Sequence, residues 1–277
     1  MNRREFFQNA GIIAGASMLS MDVFAAKKIK KFGCQLYSVR DVITADPKGV
    51  MTKLAGMGYK KFESFDGKLG FLWGMKPLEA KAFFNDIGVK MVSSHIDMNT
   101  NFEKKVEDAA QAGLTYLLCP YIGMQATTDA WLQKAELFNQ KGEIAKKSGI
   151  QFGYHNHDYS FKFANGEKGQ RILLKHTDPE LVKFELDMCW SEAAGEDSIA
   201  HLMENKGRYE LCHVKQLETK SPAKQTDLDK GIIDYPKLLT AASAAGIKHF
   251  LVEQEQYPST SMESMASNAV YMKNIRI

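Results

Sequence analysis

The sequence predicts a single (β/α)8 barrel, of the TIM-barrel class, on three observations. Beyond residue 25, short β-rich runs alternate with amphipathic helical runs, eight of each. Helical runs repeatedly stop on a glycine that leads straight into the next apolar run, at Gly58, Gly88, Gly113, Gly149 and Gly246. Polar, chemistry-bearing residues gather where the apolar runs end. A glycine just past a helix adopts the left-handed conformation without a Cβ penalty and turns the chain back to the sheet. Repeats of this punctuation, without long strand–strand hairpins, argue for parallel βαβ units. Eight such units in about 250 residues fit a closed barrel better than an open sheet.

Taken in order, a strand over residues 32–36 leads to a helix over 47–57 that stops at Gly58. Strand 60–65 leads to helix 77–86 and Gly88, and strand 89–95 to helix 102–112 and Gly113. Strand 116–119 leads to helix 129–148 and Gly149, strand 151–155 to helix 169–176, and strand 182–187 to helix 198–205. Strand 210–214 leads to helix 235–245 and Gly246, and strand 249–253 to helix 262–272. No Gly-x-Gly-x-x-Gly follows the first strand, which counts against a dinucleotide-binding sheet. No low-complexity linker divides residues 26–277, so they are read as one domain.

Residues 1–25 stand apart. Arg3-Arg4-Glu5-Phe6-Phe7 is a twin-arginine pattern, followed by a weakly apolar run from Ala10 to Met21. Val23-Phe24-Ala25 then offers small residues where a signal peptidase reads. The expectation is an exported, periplasmic protein without a stable membrane anchor, cleaved after Ala25. The segment is too short and polar for a membrane span. The formal charge of +3, with the densest basic run (Lys27, Lys28, Lys30, Lys31) beside this segment, gives no footprint for nucleic acid. Cys34, Cys119, Cys189 and Cys212 sit in or after apolar runs without paired spacing and are read as buried free thiols. A homo-oligomer is left open.

A barrel enzyme works at the C-terminal mouth of its strands. The strand ends carry Gln35, Tyr37 and Arg40; Glu63; His95 and Asp97; His155 and His157; Glu185 and Asp187; His213 and Lys215; Glu253 and Glu255. Four histidines at equivalent ends, with carboxylates among them, point to a divalent metal plus proton-transfer groups. Imidazole nitrogen and carboxylate oxygen suit Mn, Co, Zn or Fe, and Mg with water completing the shell. Such an ion polarises a carbonyl and stabilises a developing enediolate. Side-chain alternation pairs His155 with His157, Glu185 with Asp187, His213 with Lys215 and Glu253 with Glu255 on inward faces. In each pair the first residue is expected deeper and the second nearer the substrate. His176, His201 and His249 are read as structural or surface residues.

At these residues the chain resembles the xylose-isomerase-like superfamily, specifically its sugar phosphate isomerase/epimerase group. The motifs are Gln35-Leu36-Tyr37-Ser38-Val39-Arg40, Tyr154-His155-Asn156-His157-Asp158, Glu185-Leu186-Asp187-Met188-Cys189-Trp190, Gly207-Arg208 leading to His213-Val214-Lys215, and Val252-Glu253-Gln254-Glu255. The resemblance implies one divalent ion, held by Asp187, His213, Glu253 and, at the first ligand position, His155. Family epimerases carry glutamate at that position, and it serves with the last glutamate as the acid–base pair. Histidine cannot move a proton from a nitrogen that binds the metal, so either His155 ligates and His157 or Glu255 moves the proton, or the first ligand is lost. Glu253 and His157 are the acid–base candidates. Trp190 replaces a substrate-contacting histidine and suggests a stacking platform for a pyranose. Glu63, His95, Lys215 and Glu255 would orient hydroxyls, with a salt bridge inside the rim the other reading for Glu63 and a pair with Glu185 the other for Lys215.

Exported relatives of this type resemble enzymes of 3-keto-sugar chemistry, which implies a small-molecule sugar substrate. Proton abstraction at C2 would then end in epimerisation or in lyase cleavage of a 3-keto-glycoside. Two other classes stand beside this one. An abasic-site endonuclease would need a larger metal cluster and a basic surface. A non-catalytic metal- or sugar-binding barrel is kept open by the histidine at position 155.

Overall fold

A computed structural model describes residues 28–29, 31–164 and 166–277. The expected export segment, residues 1–25, lies outside them. Eight strands form the barrel: β1 (Gly33–Gln35), β2 (Lys61–Phe65), β3 (Lys90–His95), β4 (Tyr116–Cys119), β5 (Gln151–His155), β6 (Val182–Asp187), β7 (Tyr209–Val214) and β8 (His249–Val252). They pair in parallel and in chain order, and β8 closes the ring on β1 through Gly33↔Leu251 and Cys34↔Val252. Around them run α1 (Pro47–Met57), α2 (Pro77–Asp86), α3 (Phe102–Ala112), α4 (Thr128–Lys146), α5 (Gly169–His176), α6 (Met188–Ala193), α7 (Ser198–Glu204), α8 (Tyr235–Ala245) and α9 (Ser261–Asn274). Among the described residues no helix is long and apolar enough to cross a membrane.

The expected strand and helix positions agree with these bounds to within a residue or two. All five stop glycines have positive φ, from 68° at Gly88 to 112° at Gly58. Three connections hold structure that periodicity did not predict. One is α6, six residues long and so shorter than the window that reveals a helical period. The others are small hairpins, Phe163–Ala164 with Glu167–Lys168 and Gln216–Lys220 with Ala223–Thr226.

Alternation along the strands sorts the barrel wall. One face, with Phe62, Phe152, Tyr154 and Phe184, packs outward into the main apolar core beneath the helices. The other turns inward. There a separate apolar cluster, Val92, Leu118, Leu211 and Leu251 with Tyr116, forms a floor. Two inward positions are glycines because their neighbours leave no room: a Cβ on Gly33 would lie 2.5 Å from the Lys61 carbonyl oxygen and 2.6 Å from Leu251, and one on Gly153 would collide with Leu118. Above this floor the inward side chains are Gln35, Glu63, His155, Glu185, His213 and Glu253, all buried. All four cysteines are free and buried.

Away from the mouth, His201 on α7 is buried, with Nε2 2.6 Å from the Tyr209 hydroxyl, which also accepts from Gln170. Burial lowers the His201 imidazole to about 4. The unfolded chain takes up that proton near pH 6.5. The neutral ring's contribution is therefore complete above pH 6.5 and is lost as pH falls toward 4. Between pH 7 and 5 the wild type should lose about 2 kcal/mol more stability than His201→Gln. Urea midpoints at the two pH values read this, and parallel pH curves would remove His201 as the acid-sensitive group.

Candidate metal centre

The strands deliver their polar ends to a cleft of about 500 Å³ at the C-terminal mouth. His95, His155, His157, Glu253 and Glu255 line it, with Tyr37 and Tyr121 on its walls at 40% and 64% exposure. Beneath lies a cluster with almost no exposed surface. The candidate ligand atoms of Asp187, His213 and Glu253 fall within 4.8 Å of one another, and so do those of His95, His155, Glu185 and His213. His155 joins the first set through Nε2, 3.9 Å from Asp187 Oδ2. Of the four sequence-predicted ligands, Asp187, His213 and Glu253 thus form one compact group, while His155 belongs to the adjoining group with His95, Glu185 and the shared His213 and otherwise reaches the first through Asp187 alone.

Local structure explains how each is held. Asp187 caps α6, its Oδ1 accepting from the Trp190 amide at 2.8 Å, which leaves Oδ2 toward the cluster. Asn156, on the opposite face from its flanking histidines, accepts from the Asp187 amide and donates to its carbonyl, joining the ends of β5 and β6. Glu253 places Oε2 3.0 Å from His213 Nδ1 and 2.5 Å from Lys215 Nζ.

Lys215 is fully buried. Its ammonium reaches Asp187 Oδ2 at 3.0 Å and Glu255 Oε1 at 2.7 Å as well as Glu253. Asp187 and the other two carboxylates, not Glu185, are its partners. The Tyr235 hydroxyl both receives from the Lys215 amide and donates to its carbonyl, and the 216–226 hairpin holds Glu255 through Gln225. Lys215 therefore lies beneath the cleft wall. Glu63 is deeper still: with no exposure, it accepts from Gln35 at 2.8 Å and Ser93 at 2.6 Å and faces His213 and His95, the buried ion-pair placement rather than a hydroxyl-facing one. Trp190 is not among the residues that line the cleft. Its ring lies 5.3 Å from the Lys215 ammonium and 5.9 Å from the His157 ring. His157 stacks on Tyr159, and its Nδ1 has no partner among the described residues. Sequence reasoning did not single out Tyr121, which follows β4 by two residues as Tyr37 follows β1, or Ser93, which lies within β3.

The electrostatics show a surplus of negative charge. Burial opposes ionisation at His95, but Glu63 and Glu185 override it and raise the ring to about 9. At His213 burial is likewise overcome, by Glu185 and Glu253, and the ring is held well above the usual imidazole range. His155 goes the other way, pushed down by burial and by its positive neighbours His213 and His95. Burial and Glu63 raise Glu185 to about 7. Four buried carboxylates, Glu63, Glu185, Asp187 and Glu253, share the cluster with one lysine, which meets only Asp187 and Glu253 of them, so the cluster draws in protons or a cation. Glu185 Oε1 is buried without a partner, and Asp187 Oδ2 has no well-directed hydrogen bond. A mixed imidazole–carboxylate donor set with unsatisfied oxygens fits a divalent ion such as zinc or manganese.

The comparisons agree with this architecture. A sugar phosphate isomerase/epimerase from Parabacteroides distasonis is 27% identical over 89% of this chain and 94% of its own, with a TM-score of 0.75. A second from that organism is 25% identical over 87% of this chain and 97% of its own, with a TM-score of 0.76. The IolI protein with a bound zinc atom shares the fold at 13% identity, over 88% and 97% of the two chains, with a TM-score of 0.74. No curated protein matches the sequence. Residues 52–275 match the xylose isomerase-like TIM barrel family. With its closed eight-stranded barrel and its converging late-strand ends, the chain belongs to that family.

Proposed function

We propose that the protein is a divalent-metal-dependent sugar isomerase/epimerase-type enzyme that removes the proton next to a sugar carbonyl, with a 3-keto-sugar or 3-keto-glycoside as substrate. The observation that carries this reading is the compact group of Asp187, His213 and Glu253, with His155 Nε2 3.9 Å from Asp187 Oδ2, at the base of an open cleft that His157 also lines. The solved relatives described as sugar phosphate isomerases/epimerases support a sugar as the small molecule. The Arg3-Arg4 segment supports a periplasmic location, where a phosphorylated sugar is a poor candidate.

A divalent ion in this ligand set supplies, when bound, Lewis-acid polarisation of the carbonyl and so acidifies the neighbouring C–H. The chain's own groups do the rest. Glu253, a residue that lines the cleft, keeps Oε2 on the Lys215 ammonium, which leaves Oε1 as the base. His157, pushed down to about 4 chiefly by burial, is neutral, and as a residue that lines the cleft it is the second proton-transfer group. His95 and Glu255 in the cleft wall orient hydroxyls, and Tyr37 and Tyr121 offer ring faces to a pyranose. A keto group at C3 makes the C2 proton acidic. Its return to the other face gives an epimer, and loss of the anomeric substituent gives a lyase product.

The test is incubation of the metal-loaded protein with a 3-keto-glucoside in D2O. Deuterium should enter C2, with one ion bound per chain. Free aglycone with an unsaturated keto sugar identifies elimination, and a stereoisomer alone identifies epimerisation. Folded, metal-loaded protein that binds the sugar with neither exchange nor release of the aglycone would be a binding barrel, and the enzyme reading would fall.

A further inference from the structure

We infer that Glu63 and Glu185, linked by His95, form a positioning layer beneath the ion site and fix which nitrogen each histidine ligand turns to the ion; the inference rests on the ligand set proposed above. Each ligand ring has one nitrogen on a deeper carboxylate and the other on the outer pair. At His155, Nδ1 lies 3.0 Å from Glu185 Oε2, while Nε2 faces Asp187 Oδ2 at 3.9 Å. At His213, Nε2 lies 2.6 Å from Glu63 Oε1, while Nδ1 faces Glu253 Oε2 at 3.0 Å and Asp187 Oδ2 at 3.7 Å.

A neutral imidazole has one N–H and one lone pair, and the partner of the N–H decides where the lone pair points. Glu63 is prepared as an acceptor, because the buried donors Gln35 Nε2 and Ser93 Oγ already hold its two oxygens at 2.8 and 2.6 Å. The His213 nitrogen beside it is therefore the donor, and the lone pair of Nδ1 is presented outward. Glu185 Oε2 faces His155 Nδ1 from the neighbouring strand, held there by His95 rather than by an amide or hydroxyl donor. His95 Nε2, 2.8 Å from Glu185 Oε2 and 3.2 Å from Glu63 Oε1, ties the two carboxylates together. The two ligand rings consequently carry opposite tautomers, Nδ1–H at His155 and Nε2–H at His213. Carboxylates that orient ligand histidines in this way typically account for 10–100-fold in metal affinity.

The rival arrangement seats the ion lower, among His95, His155, Glu185 and His213. It would use His213 Nε2 as the ligand atom and so break its 2.6 Å contact with Glu63.

Nitrogen-15 NMR of histidine-labelled, zinc-loaded wild-type protein distinguishes the two without any substitution. The expected spectrum has zinc on His155 Nε2 and His213 Nδ1, with the opposite nitrogens protonated. Zinc on the inner nitrogens overturns the inference. Chelator competition then measures zinc affinity in Glu63→Gln and Glu185→Gln, each with its fold checked by circular dichroism. Each should bind roughly 10–100-fold more weakly than wild type. Wild-type affinity in both folded variants also overturns the positioning role. Wild-type protein that takes up no zinc, manganese or cobalt fails the proposed function itself, whereas zinc bound with unaffected variants fails this inference alone.

Discussion

Replacing Lys215 with methionine is expected to destabilise the ion-free protein by about 3–5 kcal/mol, the usual loss when one partner of a buried charge group is removed. The lysine has no exposed surface and sits within 3.0 Å of Asp187, Glu253 and Glu255. Methionine keeps most of the volume, so little of the loss comes from packing; it comes from three carboxylates left facing one another in a medium where their repulsion is poorly screened. For a chain of this size each kcal/mol moves the melting temperature by about 2–4 °C. A drop of roughly 10 °C in chelator is the result to look for. A saturating divalent ion should recover much of it, since an ion that binds only the folded state stabilises by mass action. A variant that melts within a couple of degrees of wild type in chelator would show that the ammonium is not the counter-charge of this group.

Glu253→Gln is expected to slow deuterium exchange at the substrate C2 by about 10²–10⁴-fold, the range for loss of a general base. The amide keeps the shape of the side chain and can still meet the Lys215 ammonium through its oxygen, but it cannot take a proton. Because Glu253 is also a proposed ligand, the rate is read at saturating metal, with occupancy measured on the same sample. Fully loaded Glu253→Gln that exchanges at the wild-type rate would transfer the base role to His157.

The barrel and its strand ends were readable because two periods, glycine stops and inward alternation, survive in one dimension. Depth was harder. Alternation predicts Lys215 nearer the substrate than His213, yet both are fully buried. The hairpin that follows Lys215 and the Tyr235 hydroxyl that grips its backbone decide this, and neither leaves a periodic trace. Trp190 misled for a related reason. It belongs to α6, too short to read, and that helix lays the indole beside the lysine rather than along the cleft. Glu63 shows the same limit: strand position places it on the inner wall, but only its contacts with Gln35, Ser93 and His213 reveal that it stands behind the histidines.

The leucine-rich floor has a consequence for traffic. Leu118, Leu211 and Leu251 pack below the charged layer, so among the described residues the cluster faces an apolar floor on one side and the cleft on the other. Whatever reacts there must enter and depart through the same aperture. A departing product and an arriving substrate of the proposed kind would then exclude one another at that opening.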